Sequence, residues 1–148
     1  GKTGSDPEFW LHGQSNQSVV SWRGLAFEEV CLRHTTQIKS ALSILGVSST
    51  MSAWTRTGDD KQEGTQIDLL IERKDNVVDM CEMKFYNEEF RVDKNYYKTL
   101  THRQNILAQA LPCRTVIHNV LISTYGLAYN EYSGVFQNTI TLDDLFKC

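Results

Sequence analysis

The chain predicts an α/β domain, a sheet flanked by helices, and three observations lead there. Two segments, Thr65 to Glu72 and Val77 to Tyr86, alternate face by face around the turn signal Lys74-Asp75-Asn76 and read as a hairpin. Helix-period apolar patterns flank that hairpin, at 22–45 before it and 92–110 after it. A β-rich run, Thr115 to Tyr125, follows the second helix and reads as a central strand. The predicted order is α, β, β, β, α, β, then one more strand and a short helix.

Residues 1–20 are rich in Gly, Ser, Asn and Gln and read as an irregular lead-in or linker, leaving 21–148 as the domain. In the first helix Leu25, Val30, Leu32, Ile38, Leu42 and Leu45 suggest a helical period, clearest in the four- and three-residue steps from Ile38 to Leu42 to Leu45, and Gly46 supplies a stop. Ser48 to Arg56 reads as a first strand. Along the hairpin, Ile67, Leu69 and Ile71 are expected on one face, with Gln66, Asp68 and Leu70 on the other. Val77, Asp79, Cys81, Met83 and Phe85 share one face of the next strand; Val78, Met80, Glu82, Lys84 and Tyr86 share the opposite one. Pro112 ends the second helix. Val135 to Ile140 reads as an edge strand, and Thr141-Leu142-Asp143-Asp144 as a helix start.

A length of 148 residues suits one core, and 41% hydrophobic with 22% charged residues is ordinary for a folded soluble protein. No apolar run approaches the length of a membrane span, so no membrane partner is expected. The net charge of −3 argues against strong autonomous nucleic-acid binding. Cys31, Cys81, Cys113 and Cys148 lack the close spacing of a zinc or redox pair, and His12, His34, His102 and His118 are scattered. Reduced thiols in a cytoplasmic protein are the expectation.

The chemistry gathers in the hairpin. A turn centred on Asp75 sets Leu70 opposite Met80, Asp68 opposite Glu82 and Gln66 opposite Lys84. Opposed side chains lie about 5 Å apart, so the two carboxylates repel. A divalent cation between them removes that repulsion, and carboxylate oxygens suit Mg²⁺ or Mn²⁺. Lys84, two residues beyond Glu82, can orient a metal-bound water and stabilise charge on a phosphate. The other reading is a surface salt-bridge cluster on a half-exposed sheet.

At these residues the chain resembles a known superfamily. Gly64-Thr65-Gln66-Ile67-Asp68-Leu69-Leu70-Ile71 followed by Cys81-Glu82-Met83-Lys84 resembles the PD-(D/E)XK nuclease core, with Ile67 where the motif has proline. Arg23 to Glu29 resembles the family's first motif, a helix that contributes a glutamate. More narrowly, the chain resembles the C-terminal nuclease-like domain behind the ATPase module of prokaryotic, Bacteroides-type AAA ATPases. That likeness extends over His34 to Leu45, Ser123 to Leu127 and Thr141 to Phe146. The resemblance implies a restriction-endonuclease-like, four-stranded mixed sheet flanked by helices in αβββαβ order. It implies metal binding by Asp68 and Glu82, with the Met83 carbonyl and Glu28 as further ligands, a catalytic role for Lys84, and Gln66 bordering the site.

The implied activity is a Mg²⁺- or Mn²⁺-dependent endonuclease acting on DNA phosphodiesters, recruited by an AAA-type ATPase module. The alternative is an inactive nuclease-fold domain that binds nucleic acid or regulates the ATPase. Glu28 and Glu29 lie about 100° apart on a helix, so at most one faces the sheet. Lys94, Lys98 and His102 share one face of the second helix, with Arg91 and Arg103 nearby; Lys98 and His102 are candidate phosphate contacts, and Tyr96 and Tyr97 candidate base-stacking rings. A solvated charged face with half-buried tyrosines is the competing reading.

Overall fold

The computed structural model describes residues 16–58 and 64–147, with side chains from residue 24 onward. The expected lead-in at 1–15, the centre of the 58–64 turn and Cys148 lie outside those residues. Among the described residues four α-helices, α1 (Asn16–Leu32), α2 (Thr35–Ala41), α3 (Lys94–Ala110) and α4 (Leu142–Leu145), accompany five strands. These are β1 (Ser49–Arg56), β2 (Thr65–Arg73), β3 (Val77–Lys84), β4 (Val116–Ser123) and β5 (Asn138–Thr141). The sheet runs β1-β2-β3-β4-β5, antiparallel through β3 and parallel from β3 to β5. It is therefore a mixed sheet in an α/β fold, with the five strands of the residue reading rather than the four that the resemblance implies, because Asn138–Thr141, within the expected edge strand, pairs with β4 in register Val120↔Asn138 to Ser123↔Thr141.

The first helical region departs from the sequence reading in three ways. Helix starts at Asn16, inside the supposed linker. It is two helices, broken at Arg33-His34, where the His34 ring nitrogen Nδ1 lies 2.6 Å from the Val30 carbonyl. The stop is Ser43, not Gly46. Ser43 takes φ 60° and the amides of Ser43 and Ile44 reach back to the carbonyls of Ser40 and Lys39, the paired closure of a Schellman motif. The buried face of α1 is Phe27 and Cys31, one turn apart, while Leu25 and Leu32 are exposed.

Two apolar cores sandwich the sheet. One gathers Phe27, Cys31 and Ile38 from α1 and α2 against Leu69, Ile71, Cys81, Met83 and Ile122. The other sets Leu100 and Leu107 of α3 against Ile67, Leu70, Val78, Met80 and Leu121. Central β3 is buried from Val78 to Met83, as a strand covered on both faces must be.

The hairpin forms as the turn signal predicts: Leu70 pairs with Met80, and Asn76 takes φ 66°. Strict alternation in β2 fails. Ser52 pairs with Leu70 but Trp54 pairs with Ile67, so two steps along β1 match three along β2. The extra residue is a bulge at Asp68–Leu69. It flips the parity, and Ile67 joins Leu70 on the α3 side instead of Leu69 and Ile71.

Candidate active site

Beyond the bulge β2 and β3 part. Their ladder ends at Leu69↔Cys81, so the expected Asp68–Glu82 and Gln66–Lys84 pairings are not made as ladder pairs. Asp68 closes the gap with its side chain: Oδ2 accepts the Met83 N–H at 3.1 Å. Among the described residues the Asp68 side chain makes no other hydrogen bond. Gln66 instead pairs with Thr55 of edge strand β1 and is exposed. The bulge is what re-aims Asp68 across the end of β3.

Glu82 projects toward α3, as its parity with Val78 and Met80 requires. Its side chain is only 3% exposed. Oε1 accepts the Tyr96 hydroxyl at 3.0 Å. Oε2 lies 2.6 Å from Arg103 Nη1, a short, largely buried ion pair. Arg103 Nε donates to Thr65 Oγ1 at 3.2 Å, so the guanidinium bridges the start of β2 and Glu82. Burial alone lowers the Arg103 pKa; the Glu82 carboxylate, aided by Tyr96 and Asp68, outweighs it and the net shift is upward. Burial, then the Glu82 charge, drives the Tyr96 phenol far upward, so it stays a donor.

Lys84 lies two residues on, half-buried. Its Nζ sits 5.2 Å from the Tyr96 ring centroid and 5.9 Å from that of Phe90, a cation–π arrangement that fixes the ammonium at the strand end. Phe90 is itself fixed by the loop after β4: Phe90 N–H donates to the Gly126 carbonyl at 2.9 Å, and Ala128 N–H to Phe90 at 2.8 Å. Gly126 takes φ +95°, a conformation that favours glycine.

Glu28 approaches from α1 on the opposite face. Its pKa is raised, first by burial and then by the Asp68 charge, with Lys84 opposing, which ties it electrostatically to both. Glu29 pairs with Arg33 at 3.3 Å on the surface. Of the two, Glu28 is thus the half-buried one and Glu29 the exposed one.

The helix that supplies Tyr96 and Arg103 carries them on its inner stripe. Tyr96, Leu100, Arg103 and Leu107 follow four- and three-residue steps, Leu100 and Leu107 being fully buried. Tyr96 packs on Phe90 and Phe136, so it is not a free base-stacking ring. Tyr97 packs on Tyr132. Lys98 and His102 are exposed on the outer side of α3, away from Glu82. Sequence reasoning treated Arg103 as a neighbour of that basic face; the signal it overlooked is an arginine at a core position of an amphipathic stripe.

The oxygen ligands suit a hard divalent cation: carboxylates on Asp68 and Glu82, with Glu82 Oε2 held by Arg103. Arg103 now stands against that oxygen, and among the described residues no three His, Cys, Asp or Glu side chains converge at ligating distance. Asp68, Glu82 and the Met83 carbonyl would hold an ion there, with Glu28 in reserve.

The comparisons with known proteins are sparse. No family model matches the chain, and no curated protein does. Among solved structures it is similar to one described as "Crystal Structure of Protein of Unknown Function AF1548", at 13% identity and a TM-score of 0.48. The match covers 80% of this chain and 64% of that one. A likeness so loose transfers neither a fold nor a role.

Proposed function

We propose that the chain is a nuclease-like domain that hydrolyses nucleic-acid phosphodiesters, DNA foremost, with Mg²⁺ or Mn²⁺ held by Asp68 and Glu82. The observation that carries this reading is the gathering of Asp68, Glu82 and Lys84 where β2 and β3 part, at the carboxyl end of β3. Open α/β sheets bind ligands outside the carboxyl ends of their parallel strands. The buried Glu82 carboxylate, whose Oε2 already meets a cationic group, Arg103 Nη1, at 2.6 Å, is an acceptor suited to positive charge.

The chemistry such an ion supplies is Lewis-acid polarisation of a phosphate oxygen and activation of water. The chain's own residues do the rest. The Met83 amide holds Asp68 in one orientation. The Phe90 and Tyr96 rings hold the Lys84 ammonium where it can meet growing charge on a phosphate or orient the attacking water. Lys98 and His102, on the outer side of α3, suit more distant phosphates of a bound strand. A net charge of −3 suits a domain whose affinity comes from an attached module, an AAA-type ATPase in the resemblance.

The Arg103–Glu82 pair favours one second reading: a nuclease-fold module that binds nucleic acid or regulates the ATPase without cleaving. Calorimetric titration with Mn²⁺ and Mg²⁺, with plasmid nicking on the same samples, separates the two. The nuclease reading expects binding lost in Asp68→Ala and nicking lost in both Asp68→Ala and Lys84→Ala. Binding without nicking by the wild type selects the second reading, and nicking that survives both substitutions refutes the site.

A further inference from the structure

Arg103 is the unusual member of this cluster. A guanidinium at a core position of an amphipathic helix is costly to bury, and it is kept there by one buried carboxylate and one hydroxyl. It touches the very oxygen, Glu82 Oε2, that otherwise lacks a hydrogen-bond donor. Two cations cannot share that oxygen at ligating distance without strong repulsion.

We infer that Arg103 is the internal counter-cation of the site, a guanidinium latch that a divalent ion must displace from Glu82 before the site is complete. This rests on the reading of Asp68 and Glu82 as metal ligands. Two features make the exchange feasible. The Arg103 side chain is 18% exposed, so its head group has a path to solvent. Its second anchor, Thr65 Oγ1, lies at the start of β2, and the Nε bond to it can persist while Nη1 leaves Glu82. Meanwhile the Tyr96 hydroxyl stays on Oε1 and keeps the carboxylate oriented. The latch removes the need for a resident metal: Glu82 stays charge-paired without one, and metal occupancy becomes a competition.

The test is calorimetric titration of the whole chain with Mn²⁺, comparing wild type with Arg103→Gln, together with the shift in Tm that saturating Mn²⁺ produces. Removing a charge-assisted competitor tightens binding at least about tenfold and gives the variant the larger Mn²⁺-induced Tm rise. Adding Asp68→Asn to Arg103→Gln abolishes the gain, because the ion sits in the same site. Arg103→Lys keeps a charge but loses the fork spanning Thr65 and Glu82, and gives an intermediate dissociation constant.

Equal or weaker binding by Arg103→Gln, with wild-type binding intact, overturns the latch and leaves the metal-site reading standing. No binding by either folded protein overturns both. Tight binding that persists in the Asp68→Asn double variant overturns the latch by placing the ion elsewhere. Should the glutamine variant fail to fold, a lysine variant that binds Mn²⁺ no more tightly than wild type overturns it.

Discussion

Replacing Tyr96 by Phe removes one oxygen and leaves the packing in place. The ring keeps its edge-on contact with Phe90, its neighbour Phe136 and the Lys84 ammonium above it. What is lost is a 3.0 Å hydrogen bond to a carboxylate that is 3% exposed. Water reaches that oxygen poorly, so little replaces the phenol. A hydrogen bond to a charged group contributes about 1.5–3 kcal/mol, and a buried acceptor deprived of its donor sits toward the upper half of that range. For a chain of 148 residues a loss of about 2.5 kcal/mol lowers Tm by about 8 °C. Urea unfolding at neutral pH measures the loss directly, and the slope should be unchanged because the packing is. A cycle with Glu82→Gln isolates the pair: the coupling should be at least about 1 kcal/mol, because the two groups touch. A Tyr96→Phe cost under about 0.5 kcal/mol, or additive losses in the cycle, would refute the claim that the phenol stabilises the buried charge.

Three other outcomes follow from the same structure. Ile67→Ala should cost about 2–5 kcal/mol in urea unfolding and Gln66→Ala under about 0.5, since Ile67 is buried against α3 and Gln66 is exposed; equal costs would refute that difference in burial. Asp144 caps α4 by accepting from the Thr141 amide at 2.9 Å, and that hydrogen bond, with Lys147, holds its pKa below the usual value. A depressed carboxylate stabilises the fold above its unfolded pKa and loses that contribution as pH falls through the folded one. Asp144→Asn should therefore cost about 1 kcal/mol at neutral pH, with the gap from wild type closing below about pH 4 in thermal melts across pH. Burial pushes the Cys31 thiol up to about 12, and Cys81 is raised by burial as well, whereas Cys113 is exposed. Peptide-resolved alkylation of the native protein should label Cys113 quickly and leave Cys31 and Cys81 untouched until unfolding.

The strands were legible because each is a local pattern. Alternation located β2 and β3, and Lys74-Asp75-Asn76 located their turn, so the Leu70–Met80 pairing could be read in advance. The bulge could not. Nothing in Gln-Ile-Asp-Leu-Leu-Ile departs from alternation; the extra residue is visible only against β1, through Ser52 and Trp54. Asp68 on β2 and Glu82 with Lys84 on β3 could be placed from spacing, but not the register between them, because the ladder ends at Leu69↔Cys81. Nor could their actual partners, because Arg103 and Tyr96 come from a helix whose docking angle no spacing encodes. The 22–45 region misled for a related reason: its leucines keep helical period, but the helix buries Phe27 and Cys31 and turns Leu25 and Leu32 outward.

The sheet's two kinds of pairing imply an order of assembly. β1, β2 and β3 are joined by short connections and meet through nearby residues, whereas β4 reaches β3 only after the chain has traversed α3. Loop-closure entropy favours the meander first and the crossover later. Asp68 and Glu82 belong to the early half, where both are still hydrated. Glu82 is desolvated only when α3 docks, and the same docking step delivers Arg103 and the Tyr96 hydroxyl. Burial of the charge and arrival of its counter-charge are thus one event, which spares the folding chain an intermediate carrying a dry, unpaired carboxylate.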